Sequence, residues 1–311
     1  MTVYKLPEMT VAALPDRPLS IALGNFDGVH IGHSRLLQCA RKKAESIPGC
    51  ASAVWTFSAL AKNNSDVPFL TTPEEKLFQF AKAGLDYAIL ENFEDVRHLS
   101  PEEFTLHYLL DTLSAAAVVC GFNFRFGKGG KGDASLLSAL LSQHHVALTV
   151  IDPVTSSEEI VSSTRIRAAV TEGDMETAAL LLGRPFAICL PVLYGHQLGR
   201  TIGVPTINQG FPEGHIVPRR GIYATVCTVD NRRFAAVTNV GVRPSVPGDG
   251  QVNCETHILD YSGLLYGRAV RVEFCTRLRD ECRFNSLDEL RSAIEADIRH
   301  TRAYFADNSL L

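Results

Sequence analysis

The sequence lacks the features of a secreted, disulfide-stabilised or membrane-spanning protein. Residues 1–18 contain no apolar signal-peptide core, and no run in the chain approaches about 18 consecutive apolar residues. The eight cysteines include no C-x-x-C pair and no metal-ligand spacing, and a chain of 311 residues does not need disulfides to stabilise its core. We therefore expect a cytoplasmic protein with reduced thiols and no membrane partner.

An excess of basic charge is also missing. The formal net charge is −4, so we expect no nucleic-acid partner, and any phosphate binding must come from local clusters. With 46% hydrophobic and 21% charged residues, the composition is typical of globular proteins. The length is sufficient for two separate cores, so two domains are expected.

Short β-like runs alternate with helical patterns in the first half of the chain, which predicts a Rossmann-like parallel sheet. The predicted strands cover residues 20–24, 51–57, 86–90, 115–121 and 146–151. An N-cap residue followed by proline and glutamate predicts helices that begin near Pro73 and Pro101. One more helix is predicted after Gly32, and a pair of helices over residues 164–182 is predicted to end at Gly183.

The pattern changes after Gly183. Short extended runs separated by Gly, Pro, Asn and Asp predict an antiparallel barrel. A single amphipathic helix closes the chain, with Ser286 as N-cap and Glu289 at the third helical position. The predicted domains are residues 1–183 and 184–311.

The first candidate site is the segment GNFDGVHIGH at residues 24–33, where strand 1 ends and helix 1 begins. In an open parallel sheet this edge binds ligands, and a helix N-terminus offers unpaired N–H groups to phosphate. His30 and His33 at that end are able to donate hydrogen bonds to an oxyanion, which suits attack on an α-phosphate. Two histidines three residues apart are, on spacing alone, more typical of surface or core positions.

Two later segments carry further candidates. Residues 162–167 (SSTRIR) place three hydroxyls at a predicted helix N-terminus and two arginines in its first turn, where cations are unfavourable unless an anion is bound. We interpret this as a triphosphate clamp, although an ordinary N-cap also explains the hydroxyls. Residues 121–132 (GFNFRFGKGGKG) follow strand 4 at the same edge and are either a flap over phosphates or a surface loop anchored by aromatic residues.

The second candidate site lies in the C-terminal half. Residues 195–208 join a glycine-rich turn to Thr206 and Asn208, which share one face if the segment is extended. Their oxygens suit Mg²⁺ and a nucleotide phosphate. Glu255, inside an otherwise apolar strand pattern, is a candidate general base for a primary hydroxyl. A solvent-facing Thr and Asn and a salt-bridged strand glutamate are the structural alternatives.

Together, residues 24–33, 121–132 and 162–167 resemble the adenylyltransferase domain of the bifunctional bacterial riboflavin kinase/FAD synthetases, a branch of the H-x-G-H nucleotidyltransferases. The resemblance implies that His30 and His33 stabilise the transferring phosphoryl group. It also implies nucleotide contacts from Gly24, Phe26, Asp27, Gly28, Gly32, Asn123, Arg125, Ser162, Ser163, Thr164, Arg165 and Arg167.

The C-terminal half resembles the riboflavin kinase domain of the same family from residue 183 to residue 267. This resemblance implies a six-stranded, Greek-key-like barrel in which Glu255 activates the ribityl 5′-hydroxyl. Thr206 and Asn208 would bind Mg²⁺ and ATP. Further nucleotide contacts are implied for Gly199, Arg200 and Gly203.

The chain departs from the family pattern at a few positions. After the second strand the family continues with a histidine-containing Pro-His-Pro-like turn, whereas this chain has SALA at residues 58–61. That change bears on the rate of adenylylation. Val204 and Ile207 replace an aromatic and a small residue next to the kinase motif, and both substitutions are apolar.

The sequence therefore predicts an enzyme that phosphorylates riboflavin to FMN in domain 184–311 and adenylylates FMN to FAD in domain 1–183. Riboflavin, FMN and ATP are its expected small-molecule partners and Mg²⁺ its expected cofactor. Three alternatives remain: a kinase with weak or lost adenylyltransferase activity, a flavin-binding regulator without turnover, and a monofunctional nucleotidyltransferase with an inert β-domain. The sequence does not separate a monomer from a weak homo-oligomer.

Overall fold

The computed structural model describes residues 1–5, 14–58, 67–194, 203–242 and 252–308. The chain divides into two compact units. One consists of Met1–Val67 and Pro73–Ser162, and the other of Pro68–Thr72 and Ser163–Leu311. Helices over residues 163–182 therefore group with the second unit, and the domain boundary after Gly183 stays a prediction.

The first unit is built on a six-stranded parallel sheet in the order β1-β4-β3-β2-β5-β8. Its strands are β1 (Thr2–Lys5), β2 (Leu19–Leu23), β3 (Ala51–Phe57), β4 (Tyr87–Glu91), β5 (Ala115–Gly121) and β8 (Ala147–Ile151). Two hairpins add β6 (Arg125–Phe126) with β7 (Gly132–Asp133), and β9 (Thr155–Ser156) with β10 (Glu159–Ile160). The predicted parallel sheet is confirmed.

Helices cover both faces of this sheet, which is why a central strand such as β2 is buried along its whole length. They are α1 (Ile31–Ser46), α2 (Pro73–Lys82), α3 (Phe93–Val96), α4 (Pro101–Glu103) and α5 (Ala134–Ser142). Leu37 of α1 and Phe80 of α2 pack in one core cluster, and Leu137 and Leu141 of α5 pack in the other.

The predicted helix starts are confirmed. In α4, Ser100 Oγ accepts a bond from the Glu103 N–H at 3.1 Å, and a Glu103 carboxylate oxygen accepts one from the Ser100 N–H at 2.7 Å. This capping box begins the helix at Pro101. The following turns form a π-helix over Phe104–Thr112, which the sequence pattern did not predict.

The second unit contains a nearly closed antiparallel barrel of six strands in the order β11-β16-β13-β14-β15-β12. The strands are β11 (Phe186–Pro191), β12 (Ile207–Gly210), β13 (Gly221–Val229), β14 (Arg232–Val242), β15 (Val252–Ile258) and β16 (Ala269–Arg279). Its helices are α6 (Ser163–Glu172), α7 (Met175–Leu182) and α8 (Leu287–Asn308). Gly183 ends α7 at φ 72°, and Ser286 Oγ caps α8 by accepting the Glu289 N–H at 3.1 Å, both as predicted.

A glutamine side chain helps to close the barrel between β11 and β12, the two edge strands of the sheet. A backbone hydrogen bond crosses this seam from the Leu193 N–H to the Asn208 carbonyl at 2.8 Å. Gln209 of β12 is fully buried, and its Nε2 donates to the Leu190 carbonyl at 2.6 Å and to the Val270 carbonyl at 2.8 Å. One amide thus connects β12 to β11 and β16.

We expect Gln209→Ala to destabilise the second unit by about 2–4 kcal/mol, because two buried carbonyls lose a donor and a cavity forms. Urea unfolding followed by far-ultraviolet circular dichroism measures the change. Gln143→Ala, at an exposed position, is the matched control and should change stability by less than about 0.5 kcal/mol. Equal midpoints for the Gln209→Ala protein and the unmodified protein would contradict this role.

Candidate functional sites

The first site is the turn between β2 and α1, at the carboxyl edge of the parallel sheet. Phe26 has φ 52°, Gly28 φ 84° and Val29 φ 43°, so two of these three are side-chain-bearing residues in the left-handed region. For a β-branched residue such as Val29 this conformation is strained. Such strain persists only where surrounding contacts hold the backbone, which is typical of ligand-binding turns.

The two predicted histidines lie together at the start of α1. Their rings are stacked, with centroids 3.6 Å apart and planes inclined by 14°. His30 is the N-cap, and its Nδ1 accepts the His33 N–H at 3.2 Å. Since Nδ1 is an acceptor, the proton of the neutral His30 ring is on Nε2. A Cβ at Gly32 would lie 3.0 Å from the His30 ring, so a larger residue there would press on the ring.

A buried lysine supports the turn from behind. The Asn25 carbonyl accepts bonds from Lys76 Nζ at 3.0 Å and from Thr56 Oγ1 at 2.9 Å. Lys76 is 7% exposed, and burial lowers its pKa to about 8 while the nearby Asp27 carboxylate partly opposes the shift. Asp27 is itself buried. The sequence pattern identified α2 only as a helix, although a lysine among its core-facing positions was the available signal.

The segment after β5 forms a short hairpin, and some of its polar side chains are exposed. Phe126 is buried in the core, and Gly132 packs so closely against its ring that a Cβ there would approach it to 2.6 Å. Asn123 and Arg125 are exposed, and Arg125 lies 3.8 Å from the Asp133 carboxylate. Phe126 therefore anchors the hairpin in the core, whereas Phe122 is exposed, and a role as a flap over phosphates stays a hypothesis.

The SSTRIR segment lies at the start of α6. Ser162 precedes the helix, Ser163 begins it, and Thr164 is exposed. Arg165 is partly buried, and no acidic residue is present in the first turn of the helix. Arg167 Nε donates to the Pro68 carbonyl at 2.6 Å, so part of this guanidinium has a structural contact within the second unit.

The second site is on adjacent strands of the barrel. Asn208 of β12 and Glu255 of β15 are directly opposite cross-strand neighbours, and Thr206 immediately precedes β12. Asn208 is buried, whereas Glu255 and Thr206 are partly exposed. Side chains at opposite positions of an antiparallel pair share one face, so the structure brings the predicted amide and carboxylate together.

Of the remaining residues of the predicted kinase site, the structure describes only Gly203. Gly203 is exposed with φ 77°. Gly199 and Arg200 lie outside the described residues, as do Ala59, Leu60 and Ala61 of the altered turn. The turn's first residue, Ser58, is described and donates its N–H to the Glu91 carbonyl at 2.8 Å.

Sequence reasoning missed two asparagines that accompany Glu255. Asn253 Nδ2 lies 3.3 Å from Asn208 Oδ1 and 3.4 Å from Glu255 Oε1. Asn239 of β14 is the cross-strand neighbour of Glu255 on its other side, and its Oδ1 is buried without a hydrogen-bond partner among the described atoms. No local pattern marks either residue, because both reach the site through strand register.

A pocket of about 270 Å³ adjoins Thr206 in the second unit. Its walls are mostly apolar and include Val192, Ile258 and Leu265. Tyr261 and Tyr266 also line it, and Tyr266 stacks on Tyr194 with ring centroids 4.3 Å apart. A small apolar pocket with aromatic walls beside polar groups suits the ring of a small-molecule ligand.

A buried carboxylate in the first unit was also not predicted. Tyr108, in the π-helix, donates its hydroxyl to Glu91, and Trp55 Nε1 donates to the Tyr108 oxygen at 3.1 Å. Burial raises the pKa of Glu91 and of Tyr108. The network lies where β4 ends and where Ser58 follows β3, so it belongs to the same sheet edge.

Comparison with protein-family models gives a match to FAD synthetase over residues 14–165 and to riboflavin kinase over residues 182–305. The chain is similar to proteins named bifunctional riboflavin kinase/FMN adenylyltransferase from several bacteria. The relative from Listeria monocytogenes is 33% identical over 311 residues, covering 98% of both chains. Relatives from Bacillus subtilis and Escherichia coli are each 34% identical, covering 92% and 94% of both chains respectively.

Among solved structures, the chain is similar to one from Streptococcus pneumoniae described as a macrolide-efflux protein. The TM-score is 0.82 at 27% identity, and the match covers 97% of this chain and 99% of that one. Within the parts of the chain that the structure describes, no helix is long and apolar enough to cross a membrane.

The depressed pKa of Lys76 predicts a pH-dependent contribution to stability. Between about pH 8 and 10.5 the unfolded chain holds this proton and the folded chain does not, so the free energy of unfolding rises with pH in that window. We expect the free energy of unfolding of the unmodified protein, minus that of Lys76→Met, to increase by about 3 kcal/mol from pH 8 to pH 10.5. Urea unfolding, monitored by the fluorescence of Trp55, the one tryptophan of the sequence, measures this difference.

Lys82→Met is the matched control, because Lys82 lies on the same helix and is exposed. Its stability difference from the unmodified protein should be flat over the same pH range. Parallel stability curves for the unmodified protein and Lys76→Met would show that the Lys76 ammonium is not desolvated.

Proposed function

The chain belongs to the family of the bifunctional riboflavin kinase/FMN adenylyltransferases, and from this premise we propose how it phosphorylates riboflavin and then adenylylates FMN. The motifs predicted this family, and that prediction is confirmed. The chain is thus a riboflavin kinase and an FMN adenylyltransferase that uses ATP and flavins. The roles of individual residues are our proposal, and the direct pairing of Asn208 with Glu255 is the observation that carries it.

In the kinase reaction, Glu255 is the general base. Its carboxylate accepts the proton of the ribityl 5′-hydroxyl as that oxygen attacks the γ-phosphorus of ATP. The bond between the γ-phosphorus and the β,γ-bridging oxygen breaks, and ADP leaves. Glu255 is partly exposed beside the buried Asn208, so a substrate can reach it while a neighbouring amide positions the phosphates.

The oxygens of Thr206 and Asn208 fit a magnesium site that is completed by ATP. Mg²⁺ is usually held by few protein oxygens together with substrate phosphates and water. Consistent with that, the described residues contain no cluster of three or more His, Cys, Asp or Glu side chains suited to a metal. When bound, Mg²⁺ would neutralise charge on the transferred phosphoryl group.

The apolar pocket beside Thr206 is proposed to hold the base of the nucleotide. Its aromatic wall at Tyr261 and Tyr266 offers ring faces for stacking. Gly203, and by the family resemblance Gly199 and Arg200, would contact the phosphates.

In the adenylylation reaction, a phosphate oxygen of FMN attacks the α-phosphorus of ATP, the α,β-bridging bond breaks, and pyrophosphate leaves. We propose that His30, through its Nε2 proton, and His33 stabilise the charge on the α-phosphate oxygens. The N-terminus of α1 adds backbone N–H groups and a favourable dipole. The strained turn at Phe26, Gly28 and Val29 keeps these donors in position.

Other residues of the first motif set are proposed phosphate or nucleotide contacts, the glycines through their backbone. They are Gly24, Asp27, Gly32, Asn123, Arg125, Ser162, Ser163, Thr164, Arg165 and Arg167. The exposure of Asn123 and Arg125 supports this role, while Arg167 would act with those nitrogens that do not contact Pro68.

We propose a cytoplasmic location and small-molecule partners only. All eight cysteines are free thiols, which is consistent with the cytoplasm. Riboflavin, FMN and ATP are the proposed small-molecule partners. The SALA sequence at residues 58–61 favours one second candidate function, a riboflavin kinase with weak adenylyltransferase activity.

Two substitutions should separate the reactions. Glu255→Gln should abolish FMN formation from riboflavin and retain FAD formation from supplied FMN, because only the kinase loses its base. His30→Asn should show the opposite pattern, with adenylylation falling about a hundredfold or more. Asparagine is a good N-cap, so this variant keeps α1 capped while it removes the imidazole.

Both activities are measured on each purified variant by chromatographic separation of riboflavin, FMN and FAD, and each reaction serves as the folding control for the other. Equal loss of both activities in either variant would reject the assignment of one reaction to each site.

A further inference from the structure

Asn253 occupies a central position behind the proposed kinase site. It lies on β15 two residues before Glu255, so the two side chains are on one face of the strand. Asn253 is only 5% exposed, and its Nδ2 lies within hydrogen-bond distance of oxygens on both Asn208 and Glu255. One amide therefore contacts the proposed metal-binding residue and the proposed base at once.

The strand register places a glycine on each side of Asn253. Asn253 is opposite Gly210 on β12 and Gly241 on β14, so neither neighbouring strand places a side chain beside it. Side chains from elsewhere in the unit lie over these glycines: the Glu281 carboxylate occupies the space where a Cβ of Gly241 would be, and Leu193 Cδ1 is 3.4 Å from the corresponding point at Gly210. The amide of Asn253 reaches along the face of its strand to Asn208 and Glu255, and these two contacts carry the inference.

We propose that Asn253 is a positioning residue for phosphoryl transfer to riboflavin. Its Nδ2 protons hold Asn208 Oδ1 and Glu255 Oε1 in a fixed mutual arrangement, which directs the second carboxylate oxygen of Glu255 to the ribityl hydroxyl. The inference rests on the proposed kinase role of Glu255. Asn253 itself contacts no reacting atom.

The role requires a hydrogen-bond donor, and this distinguishes it from packing. Asn208 Oδ1 and Glu255 Oε1 are oxygen acceptors, and the second belongs to a carboxylate. Aspartate has the same shape as asparagine but presents an acceptor to both oxygens. Leucine has a similar volume and presents no polar atom. A packing role predicts that the substitutions lower stability without lowering the kcat of the folded enzyme, whereas a donor role predicts that kcat falls and falls most for aspartate.

The test is steady-state kinetics of riboflavin phosphorylation for Asn253→Leu, Asn253→Asp and Asn253→Ser in the full-length chain. We expect kcat to fall about tenfold for Leu and about a hundredfold for Asp, with KM for riboflavin changed less than about twofold. Serine, which keeps one donor, should recover part of the loss relative to Leu. Rates are normalised to adenylylation of supplied FMN by the same preparation.

Asn308→Ala is the matched control, because the Asn308 amide also donates to an oxygen, the Tyr304 carbonyl, at an exposed site at the end of α8. It should leave kcat unchanged. A kcat for Asn253→Asp equal to or above that of Asn253→Leu would overturn the inference, as would a loss that appears only in KM.

Glu255→Gln, assayed in parallel, separates two kinds of failure. If Glu255→Gln is inactive as a kinase and the Asn253 variants keep full kcat, the positioning role alone is wrong. If Glu255→Gln still forms FMN at the normal rate, the proposed role of Glu255 is wrong and the inference fails with it.

Discussion

The kinase half of the molecule depends on the register of one short strand, β12. Successive side chains of a strand point to opposite faces, so Gln209 enters the barrel and Asn208 faces Glu255 on the other side. A shift by one residue would exchange these two faces and remove Asn208 from the site. The buried amide of Gln209, bonded to carbonyls of β11 and β16, opposes such a shift. Two adjacent residues of β12 therefore serve the two purposes: Gln209 helps to close the barrel, and Asn208 belongs to the site.

The nucleotidyltransferase half shows a related arrangement. The turn that presents His30 and His33 includes Val29 in a strained conformation, and its Asn25 carbonyl is held by Lys76 and Thr56. Burying the Lys76 ammonium costs stability, as its lowered pKa indicates. In both units, a buried polar side chain behind the site stabilises a backbone segment whose outward residues are proposed to do the chemistry.

The sequence alone predicted the features that depend on local patterns. The parallel strands, the helix starts at Pro73 and Pro101, and the helix end at Gly183 follow from periodicity and capping residues, and the motifs identified the family. Lys76, Gln209 and Asn253 were missed because each acts across strands or helices distant in sequence, and no spacing rule reports such contacts. Arg167 shows that a motif does not report every contact of its residues. Its guanidinium donates to the Pro68 carbonyl, which the motif did not predict.

One chain is proposed to convert riboflavin to FAD in two consecutive reactions. The most direct measurement is a time course with riboflavin, Mg-ATP and pyrophosphatase, in which riboflavin, FMN and FAD are separated and quantified. We predict that FMN forms first and that FAD follows after a lag, with the sum of the three flavins constant. FMN that accumulates without FAD, or riboflavin that remains unconverted, would contradict the claim.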